Sequence, residues 1–176
     1  MNHQALASAI ARASRLEGDF QLRSGVRSTQ YFDKYRFESD PILLRAIIEH
    51  LAPLLPTGVD ALAGLELGGV PLATALSLHT GLPVLFIRKQ AKDYGTCQLA
   101  EGGIVTGRRL LVIEDVVTSG GQVVESCGAL RALGALVTDA LCVVDRQAGG
   151  AEALGAISVQ LRALFKADDL VWHDAG

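Results

Sequence analysis

Apolar positions along this chain follow two patterns, recurrence at helical spacing in some segments and short unbroken runs in others. Leu6, Ile10, Ala13 and Leu16 share one helical face and predict a docked N-terminal helix. Residues 20–22 and 31–33 predict two short strands around the Ser24-Gly25 turn. Asp40 before Pro41 marks a helix start, with the aspartate as cap and the proline in the first turn. Ile42, Leu43, Ala46, Ile47 and Leu51 carry that helix to its stop near Pro53 and Pro56. Strands and helices then alternate. Strands are expected over 61–64, 84–87, 109–113, 137–144 and 158–164, and helices over 71–79, 121–133 and 151–154. This alternation predicts an α/β fold: an open, mostly parallel sheet with right-handed crossovers, flanked by helices. With no internal repeat, low-complexity tract or linker, the chain reads as a single domain over 1–176. Residues 1–40 form an N-terminal helix and small hood, and 41–176 the α/β core.

Composition narrows the setting. A chain of 176 residues that is 49% hydrophobic can bury a sizeable core. A net charge of -3 and a pI of about 5.8 supply no bulk attraction for nucleic acid. Cys97, Cys127 and Cys142 are widely spaced and odd in number, without a CxxC pair, which suggests a reducing cytoplasm and no structural zinc. Cys127 and Cys142 lie among apolar residues and read as core; Cys97 sits in a polar loop without a neighbouring histidine. No apolar run approaches the roughly eighteen residues that span a bilayer. Residues 1–16 lack acids and carry Arg12 and Arg15, a faintly transit-like composition, but the helical face above is the better reading. A cytoplasmic protein with neither membrane nor nucleic acid as partner is expected.

The candidate chemistry centres on residues 110–122, Leu-Leu-Val-Ile-Glu-Asp-Val-Val-Thr-Ser-Gly-Gly-Gln. Four apolar residues suit a buried parallel strand, after which come two acids and a small-residue turn that opens a helix at about Gly121. In open α/β sheets, ligands bind beyond the carboxyl ends of the strands, where this turn must lie. Thr118, Ser119, Gly120 and Gly121 bring hydroxyls and bare amides to a helix N-terminus, which favours a phosphate. Glu114 and Asp115 would repel that phosphate, so they suit sugar hydroxyls, with or without a divalent cation. Together they describe a ribose 5-phosphate site. The plainer reading is an acidic turn with Thr118 or Ser119 as a cap, but it leaves the ordered chemistry of the segment unexplained.

Three other segments are expected at the same sheet edge. Residues 64–71, Gly-Leu-Glu-Leu-Gly-Gly-Val-Pro, form a second glycine turn at a strand's end, able to face another anion or simply to turn the chain. Arg88, Lys89 and Lys92 place three cations in five residues at the head of a polar loop that runs past Tyr94 to Gly103. Such a loop either closes over a polyanion or stays solvated. Arg146 ends the strand over 137–144 and either forks onto a carboxylate or pairs with Asp145. Arg23, ahead of Ser24-Gly25, and the aromatic pair Tyr31 and Phe32 could cap a planar base or belong to the core.

The 110–122 segment resembles the 5-phosphoribosyl-1-diphosphate (PRPP) signature of the type I phosphoribosyltransferases. From about Phe20 to Arg146 the motifs follow the order found in the orotate phosphoribosyltransferases, and the chain is similar to that family. The resemblance implies transfer of phosphoribosyl from PRPP to orotate. It implies that Glu114, Asp115, Val116, Val117, Thr118, Ser119, Gly120, Gly121 and Gln122 hold the ribose 5-phosphate. Leu67, Gly68 and Gly69, with Arg88, Lys89, Lys92 and Tyr94, would face the diphosphate, and Lys92, Asp115, Lys89 and Arg88 would carry catalysis. Arg23, Tyr31, Phe32, Thr118 and Arg146 would build the orotate site. Mg2+ is implied as cofactor, carried by PRPP without a direct protein ligand set and assisted by Asp115. A homodimer is implied, with the loop over 88–103 shared between subunits. The chain departs from the family's frequent pattern in Arg23 for lysine, Gly68 for a lysine found in some members, and Tyr94 for histidine. Two further readings use the same signature: a phosphoribosyltransferase for another base, and a PRPP-sensing regulator. A dinucleotide-binding domain fits least, since no GxGxxG follows the first strand.

Overall fold

The computed structural model describes residues 1–21, 25–90 and 99–170. The expectations for Arg23, Ser24, Lys92, Tyr94 and Cys97 therefore lie outside the described residues. Helix α1 (His3–Ser14) leads into an antiparallel hairpin of β1 (Arg15–Gln21) and β2 (Arg27–Phe32). A short helix α2 (Tyr35–Ser39) joins the hairpin to α3 (Pro41–Leu51). The core continues as β3 (Ala61–Leu65), α4 (Gly69–Thr80), β4 (Val84–Ile87), β5 (Ala100–Glu101), β6 (Arg109–Val117), α5 (Gly121–Ala132), β7 (Leu136–Asp145), α6 (Gly150–Ala156) and β8 (Gln160–Lys166). The sheet order is β5-β4-β3-β6-β7-β8, parallel throughout except that β5 runs antiparallel to β4. The open, mostly parallel sheet expected from the alternation is present.

Period-two alternation on β6 sorts the core into two halves. Leu111 and Ile113 face α1, α2, α3 and α4, where Leu6, Ile10, Phe37, Ile47, Leu51, Leu72 and Leu76 are all fully buried. Leu110 and Val112 face the other side, against Val123, Cys127 and Leu130 of α5 and Leu154 of α6. Cys127 and Cys142 are buried core residues, and burial pushes the Cys127 thiol up to about 11. Asp40 caps α3 as expected, its carboxylate accepting from the amides of Ile42 at 2.8 Å and Leu43 at 3.1 Å. No helix among the described residues is long and apolar enough to cross a membrane.

The hairpin strands are longer than expected and β5 is additional, and three further differences stand out, two of which shape the site. Leu16 fits the helical face in spacing but pairs with Tyr31 in the hairpin, because α1 stops at Ser14 and β1 begins at once. Helix α2 was not expected; its five residues are too few for a periodic signal, yet they bury Phe37 and Glu38. Strand β6 runs to Val117 instead of ending at Ile113, so Glu114 and Asp115 lie on the strand itself. The reason is its neighbours. Pairing with β3 ends at Gly64↔Ile113, whereas pairing with β7 continues to Val117↔Asp145. The last four residues of β6 are thus supported on one side and face a turn on the other.

Candidate functional site

Two turns meet at the open edge of β6. After Val117 the chain passes through Thr118, Ser119 and Gly120 into α5, with Gly120 at φ +76° as the N-terminal cap residue. No side chain caps this end, so the first-turn amides of α5 are left for a ligand. A Cβ on Gly120 would lie 3.1 Å from both Cα and O of Gly150, which shows how closely the start of α6 packs under the turn. The second turn, Glu66 to Gly69, links β3 to α4 and contains a cis Glu66–Leu67 peptide. It presses on β6 with no room for side chains: a Cβ on Gly69 would stand 2.1 Å from the Ile113 carbonyl oxygen, and one on Gly68 would stand 1.6 Å from Asp115 Oδ2.

Between the turns is a cavity of about 260 Å3, lined by Lys34, Tyr35, Glu66, Leu67, Lys89, Glu114 and residues 116–123. Most of the expected PRPP residues are gathered here, namely Glu114, Val116, Val117, Thr118, Ser119, Gly120, Gly121, Gln122, Leu67 and Lys89. Glu66 Oε1 accepts from the Lys89 amide at 2.5 Å and ties the second turn to the head of the cationic loop. Other expected residues are placed differently. Gly68 and Gly69 are buried behind the wall, where they let the turn approach β6. Arg88 does not line the cavity; its Nε lies 3.5 Å from Glu101 Oε1 on β5. Asp115 is fully buried and not on the cavity wall.

Asp115 is instead the centre of a buried polar cluster. Lys34 Nζ reaches its two carboxylate oxygens at 2.9 and 2.7 Å. Its Oδ1 also accepts from the Val116 amide at 2.5 Å, and Glu114 Oε1 accepts from the Asp115 amide at 3.0 Å. Glu38 and Glu114, only 7% and 9% exposed, crowd the same group. Burial, then the hydrogen bond to Asp115 and its charge, push Glu38 up to about 9 and Glu114 up to about 8. Burial would raise Asp115 too, but hydrogen bonds from Glu114, Glu38 and Lys34 overcome it and hold Asp115 below its ordinary value. For Lys34 burial works downward and is outweighed by the hydrogen bond and charge of Asp115, so its pKa is raised. Three carboxyls this close cannot all ionise. Asp115 is therefore held toward its ionised form, and Glu38 and Glu114 are pushed toward their protonated forms.

A smaller hollow of about 150 Å3 lies between hood and core, lined by Arg15, Gln30, Tyr31, Phe32 and Arg146. The Arg146 amide donates to the Val117 carbonyl at 2.8 Å, which anchors it beside the phosphate turn. Its guanidinium stands 5.7 Å from the centre of the Phe32 ring. Tyr31, Phe32 and Arg146 are thus brought together as expected, whereas Thr118 lines the larger cavity.

Lys34, Tyr35, Glu38 and Glu66 were not foreseen. Glu66 stands inside a segment already singled out, and its acidity beside a phosphate turn was the missed signal. The other three fall at or on α2, which had no signal to give them a direction.

The Phosphoribosyl transferase domain family model matches residues 37–161. An orotate phosphoribosyltransferase from Nocardioides sp. is 50% identical over 97% of this chain and 96% of its own length. The orotate phosphoribosyltransferase of Mycobacterium tuberculosis, solved with Fe(III) dicitrate, superposes with a TM-score of 0.87 at 32% identity, covering 97% of this chain and 99% of the other. The same enzyme solved with PRPP superposes at 0.82 with 30% identity, over 96% and 98% of the two chains.

Proposed function

The chain belongs to the orotate phosphoribosyltransferases, and from that premise we propose how its residues share the transfer of phosphoribosyl from PRPP to N1 of orotate, which yields orotidine 5'-monophosphate and diphosphate in pyrimidine biosynthesis. The observation that carries this division of roles is the one cavity where the β6–α5 turn, Glu114, the β3–α4 turn and Lys89 face one another. The amides and hydroxyls of 118–122 take the 5-phosphate at the start of α5. Glu114, pushed up to about 8 by burial and by Asp115, faces the ribose hydroxyls, as acceptor when ionised and also as donor when it holds a proton. Asp115, the ionised member of the cluster, holds negative charge close by and favours the positive charge that builds on ribose as the anomeric bond opens. Leu67 and Lys89 address the diphosphate, and Arg88, Lys92 and Tyr94 join them as the loop closes and excludes water.

Orotate belongs over Tyr31 and Phe32, between hood and core. Arg146 reads its carboxylate, Arg23 belongs to the same site by the family's pattern, and Thr118 borders both ligands. N1 attacks the anomeric carbon directly, and no covalent enzyme intermediate is needed. The cavity suits a divalent ion that arrives with its own phosphate oxygens. Glu66 offers a carboxylate on its wall. Bound there, Mg2+ would neutralise charge on the departing diphosphate. The same reading makes the protein a cytoplasmic homodimer that shares the loop over 88–103 across its interface; the loop's length and charge, and the two buried free thiols, support it.

The test is spectrophotometric consumption of orotate with PRPP, with and without Mg2+, beside adenine, uracil and xanthine. Orotate is expected to be consumed, in the Mg2+ arm alone. Turnover of uracil with none of orotate would overturn the assignment of the base site.

A further inference from the structure

The cation in contact with Asp115 of the acidic pair comes from a part of the chain outside every phosphate motif. Lys34 lies between β2 and α2, 81 residues from its partner Asp115 in sequence, and its ammonium grips both oxygens of that buried carboxylate. Its position relative to the second turn follows from packing. Asp115 Oδ2 fills the space that a Cβ at residue 68 would need, and Lys34 Nζ is 2.7 Å from that same oxygen. The ammonium therefore stands at the Gly68 turn, although it is delivered by the hood. Lys34 also lines the cavity beside Tyr35, Glu66 and Leu67, with its side chain 34% exposed.

The second turn has a charge deficit that this placement corrects. Residues 64–71 contain no lysine or arginine, and their one charged side chain, Glu66, is acidic and faces the cavity. A diphosphate at this turn would meet Leu67 and a repelling carboxylate. An ammonium has three N–H donors. Two suffice for the Asp115 oxygens, which leaves one for an anion on the open side.

We propose that Lys34 is a substrate-contacting residue that binds the diphosphate end of PRPP from the hood while holding Asp115 in place. The proposal rests on the PRPP reading of the cavity given above. It assigns the hood a second task besides covering the base: occupation of the diphosphate site draws on a residue at the root of α2, so PRPP helps to order the hood against the core.

Calorimetric titration of wild type, Lys34→Met and Lys34→Arg with PRPP, inorganic diphosphate and ribose 5-phosphate, each with Mg2+, separates the possibilities. Lys34→Met is expected to weaken PRPP and diphosphate by roughly tenfold or more and to leave ribose 5-phosphate within about twofold, with partial recovery in Lys34→Arg. Equal weakening of diphosphate and ribose 5-phosphate would show that Lys34 merely supports Asp115 and would overturn the proposal. Unchanged diphosphate and PRPP affinity in Lys34→Met would overturn it as well. Because Lys34→Met leaves a buried carboxylate unpaired, melting by circular dichroism is run alongside. Should that variant not fold, Asp115→Asn is compared with Lys34→Met/Asp115→Asn, where a further tenfold loss of diphosphate supports the proposal and no further loss overturns it. A wild-type protein that binds none of the three ligands would instead overturn the reading of the cavity itself, and the proposal with it.

Discussion

Gly120 and Gly121 are neighbours in the phosphate turn, yet substituting alanine at each should have opposite effects on stability and similar effects on PRPP. At Gly121 an added Cβ meets nothing within 4 Å, the residue is exposed, and it is the first residue of α5. Replacing glycine by alanine in a helix gains up to about 1 kcal/mol, less at the first position, so Gly121→Ala should be as stable as wild type or slightly more so. The same residue lines the cavity, however, and a methyl group there keeps a phosphate oxygen from the first-turn amides. Losing one or two charge-assisted hydrogen bonds costs about 1.5–3 kcal/mol each, or at least a tenfold weaker PRPP complex. Gly120→Ala is a different perturbation. Its φ of +76° costs an alanine about 1–2 kcal/mol, and a Cβ 3.1 Å from the backbone of Gly150 adds about 1–3 kcal/mol of overpacking. That variant should lose both stability and PRPP affinity. Urea denaturation and calorimetric titration with PRPP measure the two quantities independently. Wild-type PRPP affinity in Gly121→Ala would refute a phosphate at this turn, and wild-type stability in Gly120→Ala would refute the tight packing of α6 beneath it.

Arg146→Ala should weaken orotate at least tenfold, about 1.4 kcal/mol, with PRPP affinity kept; equal loss of both by calorimetry would make the residue structural. Glu38 and Glu114 keep protons in the folded state that the unfolded chain releases near 4.5, so they take away stability as pH rises from about 4.5 through about 8 and 9. Glu38→Gln should therefore flatten the fall in the urea midpoint between pH 5 and pH 9, and a slope identical to wild type would show that Glu38 ionises normally. Lys92→Ala and Asp115→Asn should each be nearly inactive, yet on mixing and subunit exchange half the dimers carry one intact site, for roughly a quarter of wild-type activity. No recovery despite proven exchange would place each loop in its own subunit's site.

Residues whose environment is decided locally were legible in the chain. The continuous runs in β3, β4 and β6 declared themselves as buried parallel strands, and Asp40 with Pro41 marked the start of α3 to the residue. The phosphate turn was legible for the same reason, since its chemistry is carried by adjacent residues. Legibility ended where a polar residue stood on regular structure. Glu114 and Asp115 interrupt the apolar run of β6, so the strand was expected to stop four residues early; pairing with β7 carries it on.

The pairing of Lys34 with Asp115 was illegible for a deeper reason. A buried acidic pair beside a phosphate site demands a nearby cation or a proton, by electrostatics alone. That requirement could be stated from residues 110–122, but its donor lies 81 residues away on an unpredicted helix junction. Gly68 shows the other side of the same limit. Taken position by position it reads as a lost charge in the second turn. In the folded chain it is the space that Asp115 occupies, and the charge reappears on Lys34, 2.7 Å from the carboxylate that took the space. A substitution at either position therefore has to be judged with the other two, because a side chain at 68 displaces Asp115 and leaves Lys34 without its anchor.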